Sequence, residues 1–196
     1  MIEDQKDRAL KAMSLIEKIS AKLGTTSYIW GGFTIDIYKG QYQRLHHDID
    51  YLTVNLSTLK PEIAKLLKMA EWQVKHIENG DISATKEGLK VHLGNISLKK
   101  QARWTHNGQK GIICFPLQWL RQKSVSFYGV AVHVVEPEFE YVTKENPKLL
   151  NEDWHLREKD LLAQSELTKM LQGKYVNLDM LARRVVSITN GVKNSV

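Results

Sequence analysis

The sequence predicts an α+β fold, a mixed β-sheet with covering helices followed by a C-terminal helical part. Over the first 135 residues, short apolar or alternating segments typical of strands are interleaved with amphipathic segments typical of helices. From Glu138 onward the apolar periodicity is helical. A glycine pair, Gly31-Gly32, follows the first short strand, and the next strand opens with two acids, Asp48 and Asp50. We therefore expect one domain over residues 1–135 and a C-terminal helical region over residues 136–196.

The first part of the chain alternates helices and strands. Asp7–Leu23 places its apolar side chains near one helical face, and Gly24 is a common helix stop. Short helices are predicted over Phe33–Tyr38 and Glu62–Ala70, with Pro61 at the first turn of the latter. Apolar or alternating runs predict strands over Ser27–Trp30, Asp48–Val54, Trp72–Ile77, Asp81–Thr85 and Leu89–Ile96.

The second part begins with strands and ends with helices. We expect a strand over Ile112–Phe115, a short helix over Pro116–Gln122, and a strand or hairpin over Val125–Val135 that breaks at Gly129. The helical periodicity then predicts helices near Glu138–Glu145, Asp153–Gln172 and Leu178–Thr189.

Composition excludes several classes of protein. The net charge is +6 with a pI near 9.3, but the lysines are scattered and form no basic stripe interleaved with aromatics, so nucleic acid is an unlikely partner. The single Cys114 excludes an intrachain disulfide framework and suits a reducing compartment. The charged N-terminus lacks the apolar core of a signal peptide, and no stretch approaches the roughly 20 apolar residues of a membrane span. We expect a cytoplasmic protein with no membrane partner.

The stretch Tyr28–Val54 carries the candidate site. In an extended strand, residues i and i+2 point to the same face, so Asp48 and Asp50 project together. Two adjacent carboxylates repel unless a cation lies between them, and Mg2+ commonly takes one or two carboxylates plus substrate phosphates. The pair Gly31-Gly32 lets the backbone turn sharply beside a ligand, and the next helix offers N–H groups to an anion. A metal site facing a phosphate cradle is typical of phosphoryl transfer.

Each of these features has a simpler interpretation when it stands alone. A lone Asp-x-Asp is usually a solvated strand edge, and a lone Gly-Gly is usually a turn. Their order along this chain (strand, glycine pair, helix, acid-bearing strand) favours the functional interpretation.

A set of residues in this stretch resembles the signature of small nucleotidyltransferases that adenylylate antibiotics. The closest resemblance is to the lincosamide and aminoglycoside (2''-type) adenylyltransferases of the polymerase-beta-like nucleotidyltransferase superfamily. The detailed match covers Tyr28–Val54, with weaker similarity to about Leu162. The matching residues are Gly31, Gly32, Asp36, Gly40, Arg44, His46, Asp48 and Asp50.

The resemblance implies a fold, a reaction and roles for residues. Residues 1–135 would form a nucleotidyltransferase domain that moves AMP from Mg-ATP to a hydroxyl of a small acceptor. Asp48 and Asp50 would be catalytic and hold Mg2+, while the glycine pair would hold phosphate oxygens of the nucleoside triphosphate. Arg44 is the cation expected on the triphosphate. His46 is grouped with the nucleotide-binding residues and is expected to order the loop.

The third acid of the resembled enzymes has no counterpart here. It lies on a later strand, often in a segment of the type Leu-Asp-Ile-His, and commonly acts as general base. The matching segment, Leu89–His92, puts Lys90 at that place, or His92 if the pairing shifts by two residues. A neutral His92 could accept a proton near pH 7, but it could also be a structural histidine. Lys90 beside the two carboxylates could take the place of a cation electrostatically, which would argue against a metal-dependent enzyme. Asp81 and Glu87 are predicted to be loop or strand-edge residues.

Two further predictions concern the cleft. Relatives carry a basic residue that reaches the phosphates from a later helix, which makes Lys159 the candidate here and Arg157 the second choice. The alternative is an exposed helical face with charge pairs at i, i+3. Ala163 stands where relatives often have another acid. Trp104, in a polar stretch, is the tryptophan predicted to line the cleft.

Two hypotheses besides the enzyme remain. The absent third acid supports a catalytically silent protein of the same fold that binds a nucleotide or small ligand. The basic surface supports an interaction module in which the aspartates are structural. Titration with Mg-ATP distinguishes the three hypotheses. The enzyme binds it in a metal-dependent way and releases pyrophosphate with an acceptor, the silent protein binds it without turnover, and the interaction module does not bind it.

Overall fold

The computed structural model describes residues 2–76, 81–105, 111–145, 147, 157–172 and 182–185. The helices in these ranges are α1 (Ile2–Lys22), α2 (Phe33–Lys39), α3 (Leu56–Met69), α4 (Pro137–Glu145) and α5 (Glu158–Met170), with a 3-10 turn at Leu117–Trp119. The strands are β1 (Ser27–Trp30), β2 (Asp48–Val54), β3 (Gln73–His76), β4 (Ile82–Lys86), β5 (Leu89–Leu98), β6 (Ala102–Thr105), β7 (Gly111–Phe115), β8 (Val125–Phe127), β9 (Val130–Val134) and β10 (Ala182–Val185).

The strands form a mixed sheet in the order β10-β7-β6-β5-β2-β1-β9-β8, and β4 joins β5 to β3. The β2–β5 and β1–β9 pairs are parallel and the other pairs are antiparallel. The central position of β2 brings the end of β1 and the start of β5 to its two sides. This arrangement positions the candidate site.

Helices cover both faces of the sheet because the central strands are apolar on both sides. On one face, Ile29, Ile49 and Tyr51 pack in a cluster with α1, α2 and α3. On the other, Trp30 and Leu52 pack in a cluster that includes Phe139 and Val142 of α4. Asp50 alternates with buried Ile49 and Tyr51, and therefore shares its face of β2 with Leu52, beneath α4.

Most of the predicted elements are observed, with shifted ends. Helix α1 begins at Ile2 rather than Asp7. Helix α3 begins at Leu56, so Pro61 lies inside it, because Asn55 adopts a left-handed conformation and turns the chain directly from β2 into α3. The hairpin at Gly129 is confirmed as β8 and β9. The domain division at residue 136 stays a prediction.

Besides the shifted ends, two predictions about the fold are wrong. The helix predicted over Leu178–Thr189 is replaced at Ala182–Val185 by β10, whose backbone pairs with the free edge of β7. Trp104 does not line a cleft: it lies on the unpredicted strand β6, is 0% exposed, and stacks edge-to-face on Trp30 at 4.7 Å between ring centroids. Polar neighbours conceal the alternation of β6 in the sequence. The rest of 178–189 and residues 153–156 of the predicted Asp153–Gln172 helix lie outside the described residues.

Among the residues that the structure describes, no helix combines the length and the apolar character needed to cross a membrane.

Candidate functional site

The glycine pair lies against the carboxylate of Asp50. Gly31 has a φ of +82°, a conformation that disfavours other residues. A Cβ added at Gly31 would lie 3.2 Å from Oδ2 of Asp50, a close contact that glycine avoids. The backbone N–H of Gly31 donates to Oε1 of Glu140 on α4. Gly31 therefore joins the acid-bearing strand to α4.

The second glycine makes room for Arg44. A Cβ added at Gly32 would overlap Nη2 of the Arg44 guanidinium, which lies across the turn. Arg44 is exposed, and its only hydrogen bond within the described ranges is a 3.5 Å contact from Nη1 to the Leu45 carbonyl. Most of the donors of this guanidinium are therefore available to an anion beside Asp50.

Strand register brings four residues named in the sequence analysis together as two cross-strand pairs. In the β2–β5 pair, Asp48 lies opposite Lys90 and Asp50 lies opposite His92. Asp48 is exposed and the Asp50 side chain is 30% exposed, so both carboxylates are accessible to a ligand. Lys90 is exposed and is not among the residues that line the cavity, so it does not plug the space in front of the acids.

His92 lies between two carboxylates, one of them unexpected. Its Nδ1 is 3.6 Å from Oδ1 of Asp50, and its Nε2 is 3.5 Å from Oδ2 of Asp81. Asp81 is fully buried rather than at a strand edge, and its Oδ1 accepts a 3.1 Å hydrogen bond from the Asn95 N–H. Burial alone would lower the pKa of His92, but Asp50 and Asp81 together raise it to about 9. The side chain is then an imidazolium at neutral pH, which disfavours the predicted role of general base.

The charge on His92 should appear in the pH dependence of stability. Because its folded pKa of about 9 lies above the ordinary 6.5, its contribution is complete below pH 6.5 and is lost as the pH rises through 9. We expect the free energy of unfolding to fall by at most about 3 kcal/mol between pH 6.5 and 9.5, measured by urea denaturation. His92→Gln should lack this component. Equal slopes in the two proteins would show that His92 is not charged in the folded state.

His46 orders the segment that carries Arg44. It is 3% exposed, its Nε2 lies 2.9 Å from Oδ2 of Asp36, and its ring centroid is 4.1 Å from that of Phe33. Gln5 of α1 donates to the His46 carbonyl at 2.6 Å and accepts from its N–H at 3.1 Å. The side chain is committed to Asp36, which fits the predicted ordering role better than a direct phosphate contact.

The predicted cations of α5 face the same space. Lys159 is exposed, whereas Arg157 donates from Nε to Oδ2 of Asp160 at 2.8 Å. Burial alone would raise the pKa of Asp160, but the hydrogen bonds from Arg157 hold it below its ordinary value. Arg157 is therefore engaged at the N-terminus of α5, and Lys159 is the better candidate for a phosphate contact.

The glycine pair, the two acids of β2, the loop of Arg44 and His46, and the start of α5 line one cavity of about 330 Å³, whereas His92 is not among its lining residues. Its walls carry charges of both signs, from four acids and four cations: Asp48, Asp50, Glu140 and Asp160, and Arg44, Lys144, Arg157 and Lys159. Within the described ranges, no group of three or more His, Cys, Asp or Glu side chains is arranged to hold a metal ion by itself. Two carboxylates nevertheless suit Mg2+, whose other ligands are commonly substrate phosphates and water.

Sequence reasoning did not predict the roles of Asp81 and Glu140. Asp81 precedes a short strand, and nothing in the sequence shows that it is buried beside His92. Glu140 is an acid on the apolar face of α4, close to Phe139 and Val142, and that position is the signal that could have identified it.

Comparison with known proteins shows which family model the sequence matches. Residues 12–167 match the family model described as aminoglycoside-2''-adenylyltransferase. No curated protein sequence matches the chain significantly.

Similar solved structures share the fold at low sequence identity. ANT(2'')-Ia in complex with adenylyl-2''-tobramycin is 15% identical, with 84% of this chain and 90% of that chain covered and a TM-score of 0.63. Lincomycin-bound LnuA, a lincosamide antibiotic adenylyltransferase, is 18% identical, with 79% and 93% covered and a TM-score of 0.58. An antigenic nucleotidyltransferase-like protein from Paracoccidioides brasiliensis is 14% identical, with 85% and 78% covered and a TM-score of 0.56. The predicted nucleotidyltransferase fold is confirmed.

Proposed function

The chain belongs to the aminoglycoside-2''-adenylyltransferase family, and from this premise we propose that it transfers AMP from Mg-ATP to a hydroxyl of a small, antibiotic-like molecule. The observation that carries the proposal is the two-glycine turn, which has the Asp50 carboxylate against Gly31 and the Arg44 guanidinium against Gly32. A carboxylate suited to a metal ion and a guanidinium suited to phosphate oxygens thus lie against adjacent residues of one turn. Because the reaction consumes ATP, we also propose a cytoplasmic location.

Asp48 and Asp50 would hold the metal ion. When bound, Mg2+ neutralises charge on the phosphates and on the group being transferred. The imidazolium of His92 lies 3.6 Å from Asp50 and orients this carboxylate from the side opposite the glycine turn. The two acids therefore act as ligands, and neither is left to take the proton of the acceptor.

The cations of the cavity would bind and orient the triphosphate. Arg44 projects from the loop fixed by His46, and its planar fork of donors matches phosphate oxygens. Lys159 approaches from α5. These groups would hold the α-phosphorus in line between the attacking hydroxyl and the leaving pyrophosphate.

The acceptor is proposed from the similar proteins. The solved structures contain adenylyl-2''-tobramycin in one case and lincomycin in another. Both antibiotics are hydroxylated small molecules, so tobramycin and lincomycin are suitable first probes of this chain.

The proposal is tested by measuring pyrophosphate release with Mg-ATP and each antibiotic. We expect release that requires the acceptor and the metal, and we expect a chelator to abolish both turnover and ATP binding. Binding of Mg-ATP without release would favour the catalytically silent hypothesis. Absence of Mg-ATP binding would contradict the nucleotide site itself.

A further inference from the structure

A buried carboxylate on α4 lines the cavity with half of its hydrogen-bonding capacity unused. Glu140 is 0% exposed, and its Oε1 accepts the N–H of Gly31. Its Oε2 is buried and has no hydrogen-bond partner among the described residues. A buried, half-satisfied carboxylate is costly, so its retention in the wall of the cavity points to a ligand that it meets there.

The position of Glu140 relative to the acids is fixed by one glycine. Gly31 donates its N–H to Glu140, and a Cβ added at the same residue would lie 3.2 Å from Asp50 Oδ2. The two carboxylates therefore flank a single turn, on the face of the sheet covered by α4. Glu140 is among the residues that line the cavity, so a molecule held between the metal ligands and α4 would lie against this side chain.

The surroundings of Glu140 keep it close to half-ionised at neutral pH. Burial raises the pKa of Glu140 to about 7; the charge of Asp50 on β2 adds to this effect, while Lys144 and the Gly31 N–H oppose it. Tyr38 of α2 also faces the carboxylate, but its hydroxyl donates to the Val135 carbonyl. An acid with a pKa near the working pH is suited to accept a proton in catalysis.

We propose that Glu140 accepts the proton of the attacking hydroxyl, and that α4 thereby supplies the acid that is absent from β5. The inference rests on the proposed function. The acceptor oxygen forms a bond to the α-phosphorus while the bond from that phosphorus to the pyrophosphate oxygen breaks. The pyrophosphate leaves with the electron pair, and the hydroxyl proton passes to Oε2 of Glu140.

Other groups of the site are less suited to this step. His92 is not among the residues that line the cavity, and its ring nitrogens face Asp50 and Asp81. Lys90 is an exposed cation that does not line the cavity. Asp160 accepts hydrogen bonds from Arg157, with one of its oxygens 2.8 Å from the guanidinium. Among the four acids of the cavity, Glu140 has an oxygen without a hydrogen-bond partner in the described ranges and is not a proposed metal ligand.

The test is Glu140→Gln, assayed for pyrophosphate release with saturating Mg-ATP and the antibiotic that the wild-type protein modifies. Glutamine keeps an oxygen for the Gly31 N–H, so a role limited to holding the turn would survive. We expect kcat to fall about 100-fold or more while the Kd for Mg-ATP changes little. The wild-type kcat should decrease as the pH falls below 7, which gives the pH–rate profile an acidic limb. The kcat of Glu140→Gln should lack this acidic limb. Glu145→Gln, an exposed position on the same helix, is the matched control and should behave as wild type.

The outcomes separate this inference from the function on which it rests. Wild-type protein that releases no pyrophosphate contradicts the proposed function, and Glu140 with it. If the wild-type protein turns over and Glu140→Gln keeps both the wild-type kcat and the fall in rate below pH 7, only the proposed role of Glu140 is contradicted.

Stability provides a check on the variant itself. Glu140→Gln removes a buried charge and should unfold at a temperature at or above that of the wild type at pH 8. Should it fail to fold, Glu140→Asp keeps the charge but withdraws it from the cavity, and we expect about a 10-fold lower kcat with the acidic limb retained. Wild-type kcat in Glu140→Asp would also contradict the proposal.

Discussion

Replacing Asp50 with asparagine is expected to reduce pyrophosphate release about 1,000-fold or more and to leave the fold intact. The substitution keeps the shape of the side chain but removes one of two charges available to a metal ion, whose stabilisation of the transferred group is worth several kcal/mol. The side chain is 30% exposed and lies at the start of β2, so little core packing depends on it. The measurement is the rate of release at saturating Mg-ATP.

Asp7→Asn provides the control for this substitution. Asp7 is an exposed residue of α1 outside the cavity, so the same chemical change there should leave turnover unaltered. Circular dichroism would establish that both variants are folded. Undiminished turnover in Asp50→Asn would remove Asp50 from the mechanism and with it the proposed metal site.

The second large effect is expected from adding one methyl group to the glycine turn. Gly32 has φ and ψ of −63° and −23°, which alanine adopts readily, so Gly32→Ala should change the free energy of unfolding by no more than about 1 kcal/mol. Its Cβ, however, would occupy the space of the Arg44 guanidinium. Because a hydrogen bond to a charged group is worth roughly 1.5–3 kcal/mol, displacement of Arg44 should raise the Kd for Mg-ATP about 10- to 100-fold. Isothermal titration calorimetry measures this directly.

A double-mutant cycle tests whether Arg44 carries the effect. Arg44→Ala alone should weaken binding by a similar factor, and Gly32→Ala should add little to it because both changes remove the same guanidinium contact. Additive losses would mean that the methyl group acts through the backbone rather than through Arg44.

The acid pair and the glycine turn could be predicted from the sequence because they depend on local geometry. The alternation of a strand places Asp48 and Asp50 on one face whatever packs above them, and Gly31 supplies a conformation that few residues adopt. The same alternation predicted the face of His92.

The other features of the site depend on contacts between distant segments. The charge of His92 comes from Asp81, which precedes a different strand. Glu140 meets Gly31 only because α4 folds back over the sheet, 109 residues along the chain. Strand β10 forms because β7 has an edge to pair with, and the short run Ala182–Val185 does not reveal this.

The most direct test of the metal and triphosphate site is a crystal structure with a nonhydrolysable ATP analogue and Mg2+. We expect one metal ion between the carboxylates of Asp48 and Asp50 and the phosphate oxygens, with Arg44 on the triphosphate. A triphosphate bound elsewhere, or a metal ion that leaves both aspartates unliganded, would contradict the account.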